Sequence, residues 1–251
     1  MDTSTLTPQT SPNPWHIAIL IPARDEAVLL PRCLRSIEYA RAYLPPHVTS
    51  DVVLVADRCI DNTFALARDL LRADGLAVTS SFGIVGSARA FAADIALSRY
   101  DGPLSRCWLA NTDADGEVPQ TWLTDQLSLA EQGAEAVAGI VCVDSFDEHP
   151  SHVATHFRET YLLHADGTHP HIHGANLGVR ADTYRSAGGW LSLSTAEDHD
   201  LWGRLKLQGS DFRSVANLEI TTSGRIQGRA PHGFAGALAA HGDALPDGVA
   251  A

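Results

Sequence analysis

Apolar residues in the first half of the chain fall into short runs that alternate with segments of helical period. His16-Ile17-Ala18-Ile19-Leu20-Ile21-Pro22 is a nearly continuous apolar run closed by proline, which predicts a buried strand. After the polar turn Ala23-Arg24-Asp25-Glu26, residues Leu29, Leu30, Cys33, Leu34 and Ile37 recur at helical spacing. Asp51-Val52-Val53-Leu54-Val55-Ala56 predicts a second strand, ending in Asp57-Arg58-Cys59-Ile60-Asp61-Asn62-Thr63, and a helix carrying Ala65, Leu66, Leu70 and Leu71 follows. Leu76–Thr79 reads as a third strand, Gly83–Ser87 as a turn, and Ala88–Leu97 as a helix. A fourth strand begins at Trp108-Leu109-Ala110-Asn111. Such alternation predicts an α/β fold with a parallel sheet covered on both faces.

The second half is less regular. Trp122–Gln132 predicts a helix and Ala136–Val143 a strand with Gly139 inside it. Residues 148–173 carry seven histidines (149, 152, 156, 164, 169, 171 and 173) and read as a loop. Gly174-Ala175-Asn176-Leu177-Gly178-Val179-Arg180 predicts a tight turn into a strand, and a helix-like segment ends at Gly188-Gly189-Trp190. Ser194-Thr195-Ala196-Glu197-Asp198-His199-Asp200 opens an amphipathic helix with Leu201, Leu205 and Leu207, and Ser194 or Thr195 is expected to cap it. The polar residues 1–14 read as a disordered tail and 239–251 as a frayed one. Between them lies one expected domain, 15–238, with halves at 15–116 and 117–238.

Composition narrows the function. A net charge of −12 over 251 residues disfavours a nucleic-acid binder and adhesion to anionic membranes. A phosphorylated substrate would need a cation to offset repulsion from so acidic a chain. Cys33, Cys59, Cys107 and Cys142 match no metal-ligand spacing and read as free thiols. No run approaches the ~18–20 apolar residues of a membrane span. A cytoplasmic location is expected, and a homodimer is left open.

Chemistry-bearing residues gather where strands end, the edge at which open α/β sheets keep their ligands. These are Arg24, Asp25 and Glu26; Asp57, Arg58 and Asp61; and Asp113 with Asp115. Two carboxylates one residue apart on an extended segment point the same way and suit one hard cation or a diphosphate–metal complex. Glu197 and Asp198 at a helix start serve either as partners of its positive dipole end or as a general base. Arg225, Arg229 and His232 lie in a glycine-bearing segment, which either holds a diphosphate and a metal or is a basic loop on an acidic surface. His171 and His173 alternate as zinc ligands would, whereas His152 and His156 lack the accompanying glutamate of a zinc-protease helix.

In order, Ile21-Pro22-Ala23-Arg24-Asp25-Glu26, Val55-Ala56-Asp57 with Asp61-Asn62-Thr63, Asp113-Ala114-Asp115, Gly174-Ala175-Asn176 with Gly188-Gly189-Trp190, and Glu197-Asp198 resemble the family 2 glycosyltransferases of the GT-A fold. The resemblance spans residues 16–235 and departs at Asp57-Arg58-Cys59-Ile60-Asp61, where the family often has Asp-Gly-Ser-x-Asp. It implies a Rossmann-like nucleotide-binding half, a mixed central sheet and an acceptor-binding half. It further implies a nucleotide-diphospho-sugar donor, an acceptor hydroxyl and Mn²⁺ or Mg²⁺. By position, Pro22, Arg24, Glu26 and Asp57 would line the nucleoside pocket, with Arg89 near the donor. Asp113 and Asp115 would hold donor and metal, His232 would be a further metal ligand, and Asp198, beside Glu197, would be the base of an inverting transfer. His173, Gly174, Asn176 and Arg225 are assigned to the acceptor side, with a soluble acceptor expected. A nucleotidyltransferase would show a glycine-rich basic loop after its first strand, which this chain lacks. A retaining transferase acting on a phosphorylated acceptor and a non-catalytic sugar-nucleotide binder are the other readings.

Overall fold

The computed structural model describes residues 14–71, 73, 75–230 and 233–243. Its first half alternates as the pattern predicts: β1 (His16–Ala23), α1 (Leu30–Ala42), β2 (Thr49–Asp57), α2 (Thr63–Leu71), β3 (Leu76–Ser80), α3 (Val85–Ser98) and β4 (Cys107–Asn111). The second half adds α4 (Trp122–Glu131), β5 (Ala136–Val143), α5 (Val153–Thr160), β6 (Leu177–Arg180), α6 (Ala181–Ser186), α7 (Glu197–Leu207), β7 (Phe212–Thr222) and α8 (Phe234–Asp243). Seven strands form one mixed sheet in the order β3-β2-β1-β4-β6-β5-β7. β6 is antiparallel to β4 and β5, and the other pairings are parallel.

Strand alternation divides the core into two layers. Ile17, Ile19 and Ile21 face one side with α1, α2 and α4, while Ala18 and Leu20 face the other with α3, α6 and α7. The buried face of α3 is almost all alanine (Ala88, Ala92, Ala93, Ala96), so this helix lies close against the sheet. The chain winds outward from β1 to β3 and then crosses back to β4 on the other side of β1. This reversal leaves a crevice at the carboxyl ends of β1 and β4, where ligands bind in such sheets.

Four features differ from the sequence expectation. The histidine-rich loop contains a helix, α5, whose buried face is Val153 and Phe157. β7 occupies a sheet edge, and α8 runs to Asp243, past the expected start of the frayed tail at 239. The N-cap of α7 is Ala196, in the left-handed region at φ 58°, in place of Ser194 or Thr195.

One bolt joins the two halves of the second-half sheet. Asn176, fully buried in a 3-10 turn at Gly174–Asn176, donates through Nδ2 to the carbonyls of Ile140 (2.9 Å) and Leu218 (2.8 Å). Its Oδ1 accepts from Trp122 Nε1 at 3.0 Å. The β5–β7 register shifts between Ala138 and Ile140, and Gly139 sits at that irregularity. A Cβ on Gly139 would lie 2.2 Å from Asn176 Nδ2 and 2.3 Å from the Leu218 carbonyl. Glycine is therefore what admits the amide between the strands. Gly139→Ala is expected to destabilise the fold by ~1–3 kcal/mol, the usual cost of overpacking. A urea midpoint unchanged from wild type would contradict this account.

Candidate active site

A cleft opens at the carboxyl edge of the sheet. Pro22, Arg24 and Glu26 reach it from the end of β1, Asp57 from β2, and Asp113 and Asp115 from the segment after β4. Arg225 and Arg229 enter from the chain after β7, and Phe234 of α8 forms part of the wall. Asp57 is held rigidly, accepting from Ser80 Oγ and the Gly83 N–H, each at 2.8 Å.

The loops after β1 and β2 are cross-tied. Asp25 Oδ1 accepts from the Ile60 N–H at 2.7 Å, and Asp61 Oδ2 from the Ala27 N–H at 3.0 Å. Asp25 and Arg58 both adopt φ 52°, strained for non-glycine residues. Asp25, Cys59 and Asp61 bring three ligand-type atoms within 4.8 Å of one another, but their hydrogen bonds already account for the grouping. This accommodates the departure at Arg58-Cys59-Ile60, because Asp57 and Asp61 keep separate jobs.

Arg89, one turn into α3, is buried between two carboxylates. Its Nη2 donates to Asp113 Oδ1 at 2.7 Å and its Nε to Glu197 Oε1 at 3.1 Å, with Trp190 stacked 5.4 Å from the guanidinium. Its Nη1 is buried with no partner among the described residues. Burial raises the Glu197 pKa, and Arg89 only partly pulls it back. Next in sequence, Asp198 is aimed by main-chain donors: Gly174 N–H to Oδ2 and His199 N–H to Oδ1, both at 2.8 Å. The Asn176 bolt thus positions the Gly174 turn, and the turn positions Asp198.

Arg225 grips Glu26 with two hydrogen bonds, at 2.7 and 3.1 Å, and also contacts Asp115 Oδ2. Burial pushes the Glu26 carboxyl up to about 7 against the pull of Arg225. Burial and the neighbouring Asp113 raise Asp115. Burial opposes the charge on Arg225, but its carboxylate partners more than compensate and its pKa lies above the usual arginine range.

The sequence-nominated residues therefore fall into three groups. Pro22, Arg24, Glu26, Asp57, Asp113 and Asp115 line the cleft, while Arg89, Glu197, Asp198 and Gly174 lie outside its lining and are tied to it through the Arg89–Asp113 pair. Arg225, assigned to the acceptor side from the sequence, lies across the acidic cleft against Glu26 and Asp115. Asn176, also assigned there, is a core residue with its amide engaged. His232 lies outside the described residues. Phe234, Gly83 and Ser194 line the cleft without having been nominated.

His169, His171 and His173 stack along one face of an extended segment, and Tyr161 lies on His171 with ring centroids 3.8 Å apart. Their Nε2 atoms meet oxygen partners, respectively the Ala138 carbonyl, the Leu162 carbonyl and Tyr161 Oη, and do not converge on one point.

A family model, glycosyl transferase family 2, matches residues 18–186. The chain belongs to this family, and its seven-stranded α/β sheet is that of the GT-A transferases. S. aureus TarS 1–349 in complex with UDP-GlcNAc is similar at 12% identity and TM-score 0.63, over 87% of this chain and 61% of that one. The mannosyltransferase PcManGT from Pyrobaculum calidifontis, in complex with GDP-Man and Mn²⁺, is similar at 20% identity and TM-score 0.60, over 85% and 58%. The chain thus spans about three fifths of the length of these solved structures. No curated protein sequence matches it. No helix among the described residues is long and apolar enough to cross a membrane.

Burial depresses the pKa of His173 to about 4, with Asp198 opposing the shift. The unfolded chain takes up this proton near 6.5, whereas the folded protein resists until about 4, so this contribution to stability is lost as pH falls between them. Urea midpoints from pH 4 to 7.5 should fall more steeply on acidification for wild type than for His173→Asn. Parallel curves would show a solvated ring.

Proposed function

We propose that this protein is a cation-dependent glycosyltransferase that moves a sugar from a nucleotide-diphospho-sugar to an acceptor hydroxyl with inversion. The observation that carries the reading is the Arg89 bridge, which joins Asp113 at the donor cleft to the start of the helix bearing Asp198. TarS with UDP-GlcNAc and PcManGT with GDP-Man and Mn²⁺ support a hexosyl donor and a divalent cation.

Asp113 and Asp115 suit a hard cation: both offer carboxylate oxygens, and burial together with the neighbouring Asp113 raises the Asp115 pKa. A divalent cation bound there would neutralise charge on the departing diphosphate. Asp198, held at both oxygens by main-chain N–H groups, takes the proton from the acceptor hydroxyl as that oxygen attacks the anomeric carbon. Arg89, itself buried, keeps Asp113 in place at the edge of the cleft. Asp57 and the loops after β1 and β2 bound the nucleoside end of the cleft.

Asp198→Asn should lower kcat by ~10²–10⁴, as expected for loss of a general base, while donor affinity stays near wild type. Full retention of kcat would remove Asp198 from the mechanism. Asp115→Ala should abolish Mn²⁺-dependent turnover of UDP-GlcNAc or GDP-Man, and undiminished transfer would refute its role as a ligand.

A further inference from the structure

Arg225 holds two carboxylates by unequal grips. Glu26 takes both ends of the guanidinium fork, Nη2 at 2.7 Å and Nη1 at 3.1 Å, whereas Asp115 receives a single contact from the Nη2 already shared with Glu26. A forked arginine–carboxylate pair is the stronger and more directional of the two. The main chain around Arg225 is fixed at its root. Gly224 donates to Asp144 Oδ1 at 2.9 Å, its carbonyl meets His149 Nε2 at 2.7 Å, and Ile226 N–H donates to Glu148 Oε2 at 3.0 Å. A Cβ on Gly224 would fall 1.8 Å from the Ser145 carbonyl, so this close approach is open only to glycine. What can move at this position is the side chain.

We propose that Arg225 is a displaceable internal cation of the donor cleft, which neutralises Asp115 before ligand arrives and yields that carboxylate to the incoming divalent cation. The inference rests on the glycosyltransferase reading and adds a competition to it. Guanidinium and metal ion seek the same Asp115 oxygens and cannot hold Oδ2 together. Because both Glu26 hydrogen bonds can persist without Asp115, the displaced guanidinium stays on Glu26 in the cleft, where a diphosphate would meet it. Arg229 is the internal comparison. It lines the same cleft, donates to the Asp25 carbonyl at 2.9 Å and approaches Glu26 at 3.8 Å, but no contact joins it to Asp115.

The test is direct titration of Mn²⁺ alone, with free ion read by electron paramagnetic resonance and the fold of each variant checked by circular dichroism. Arg225→Gln should bind Mn²⁺ at least tenfold more tightly than wild type. Arg225→Lys, which keeps the charge, and Arg229→Gln, which removes a cleft charge that does not contact Asp115, should each stay within about threefold of wild type. With Mn²⁺ present, Arg225→Gln should bind UDP or GDP more weakly. Equal gains from Arg225→Gln and Arg229→Gln would reduce Arg225 to background charge and overturn the proposal, as would no gain from Arg225→Gln. Those outcomes leave the transferase reading intact. Absence of Mn²⁺ binding to wild type and Arg225→Gln alike, even with nucleoside diphosphate, would remove the cation-dependent reading and the exchange together.

Discussion

A buried guanidinium between two carboxylates is the constraint on which the site depends. Charges are costly to remove from water, and a buried ion pair is tolerated only when geometry and hydrogen bonding are good. Arg89 meets that demand by joining Asp113, just beyond β4, to Glu197, the first residue of α7. Losing the arginine would leave two acids without their counter-charge, and breaking such a pair typically costs ~3–5 kcal/mol. Its surroundings are shaped to fit. Gly174 packs where a Cβ would come within 2.7 Å of Arg89 Nη2, and Gly86 lets α3 approach the Leu191 carbonyl, where a Cβ would come within 2.1 Å. Two glycines and four alanines thus serve one arginine.

The acidic character of the chain is concentrated functionally at this edge of the sheet. Glu26, Asp113 and Asp115 crowd one cleft, and each is met by arginine from a distant part of the chain. Opposing charge from β7's exit and from α3 makes the crowding tolerable. The same arrangement presents both signs of charge in one cleft.

How much of this was legible in the chain depended on the period of each signal. β1, β2, β4 and β5 are short apolar runs, and β5 falls on the residues the pattern predicts, Ala136–Val143. The strand-end acids were equally legible, because residues after parallel strands are placed by topology alone. β7 was missed although Leu218, Ile220 and Thr222 are buried while Glu219 is exposed, a period of two that the polar start Arg213–Ser214 obscures. α5 was hidden by histidines, whose amphipathic rings carry little apolar signal. The contacts that Asn176 and Arg225 make could not be read from the chain. An asparagine beside a turn looks available for ligand until the Gly139 irregularity shows where its amide is spent, and the reach of an arginine across 199 residues of chain to Glu26 has no local signature.

α5 and α8 form a small apolar cluster, Val153, Phe157 and Leu238, which Tyr161 and Phe234 join to one of the two layers that sandwich the sheet. Cooperative units with so little buried surface open at lower free energy than the strands beneath them. Phe234, at the head of α8, is part of the cleft wall, whereas Asp113 and Glu197 are fastened to elements of the main core. Phe234 packs against both this small cluster and the main core, so it ties the cleft wall to each, and loosening of α8 would be felt at the cleft.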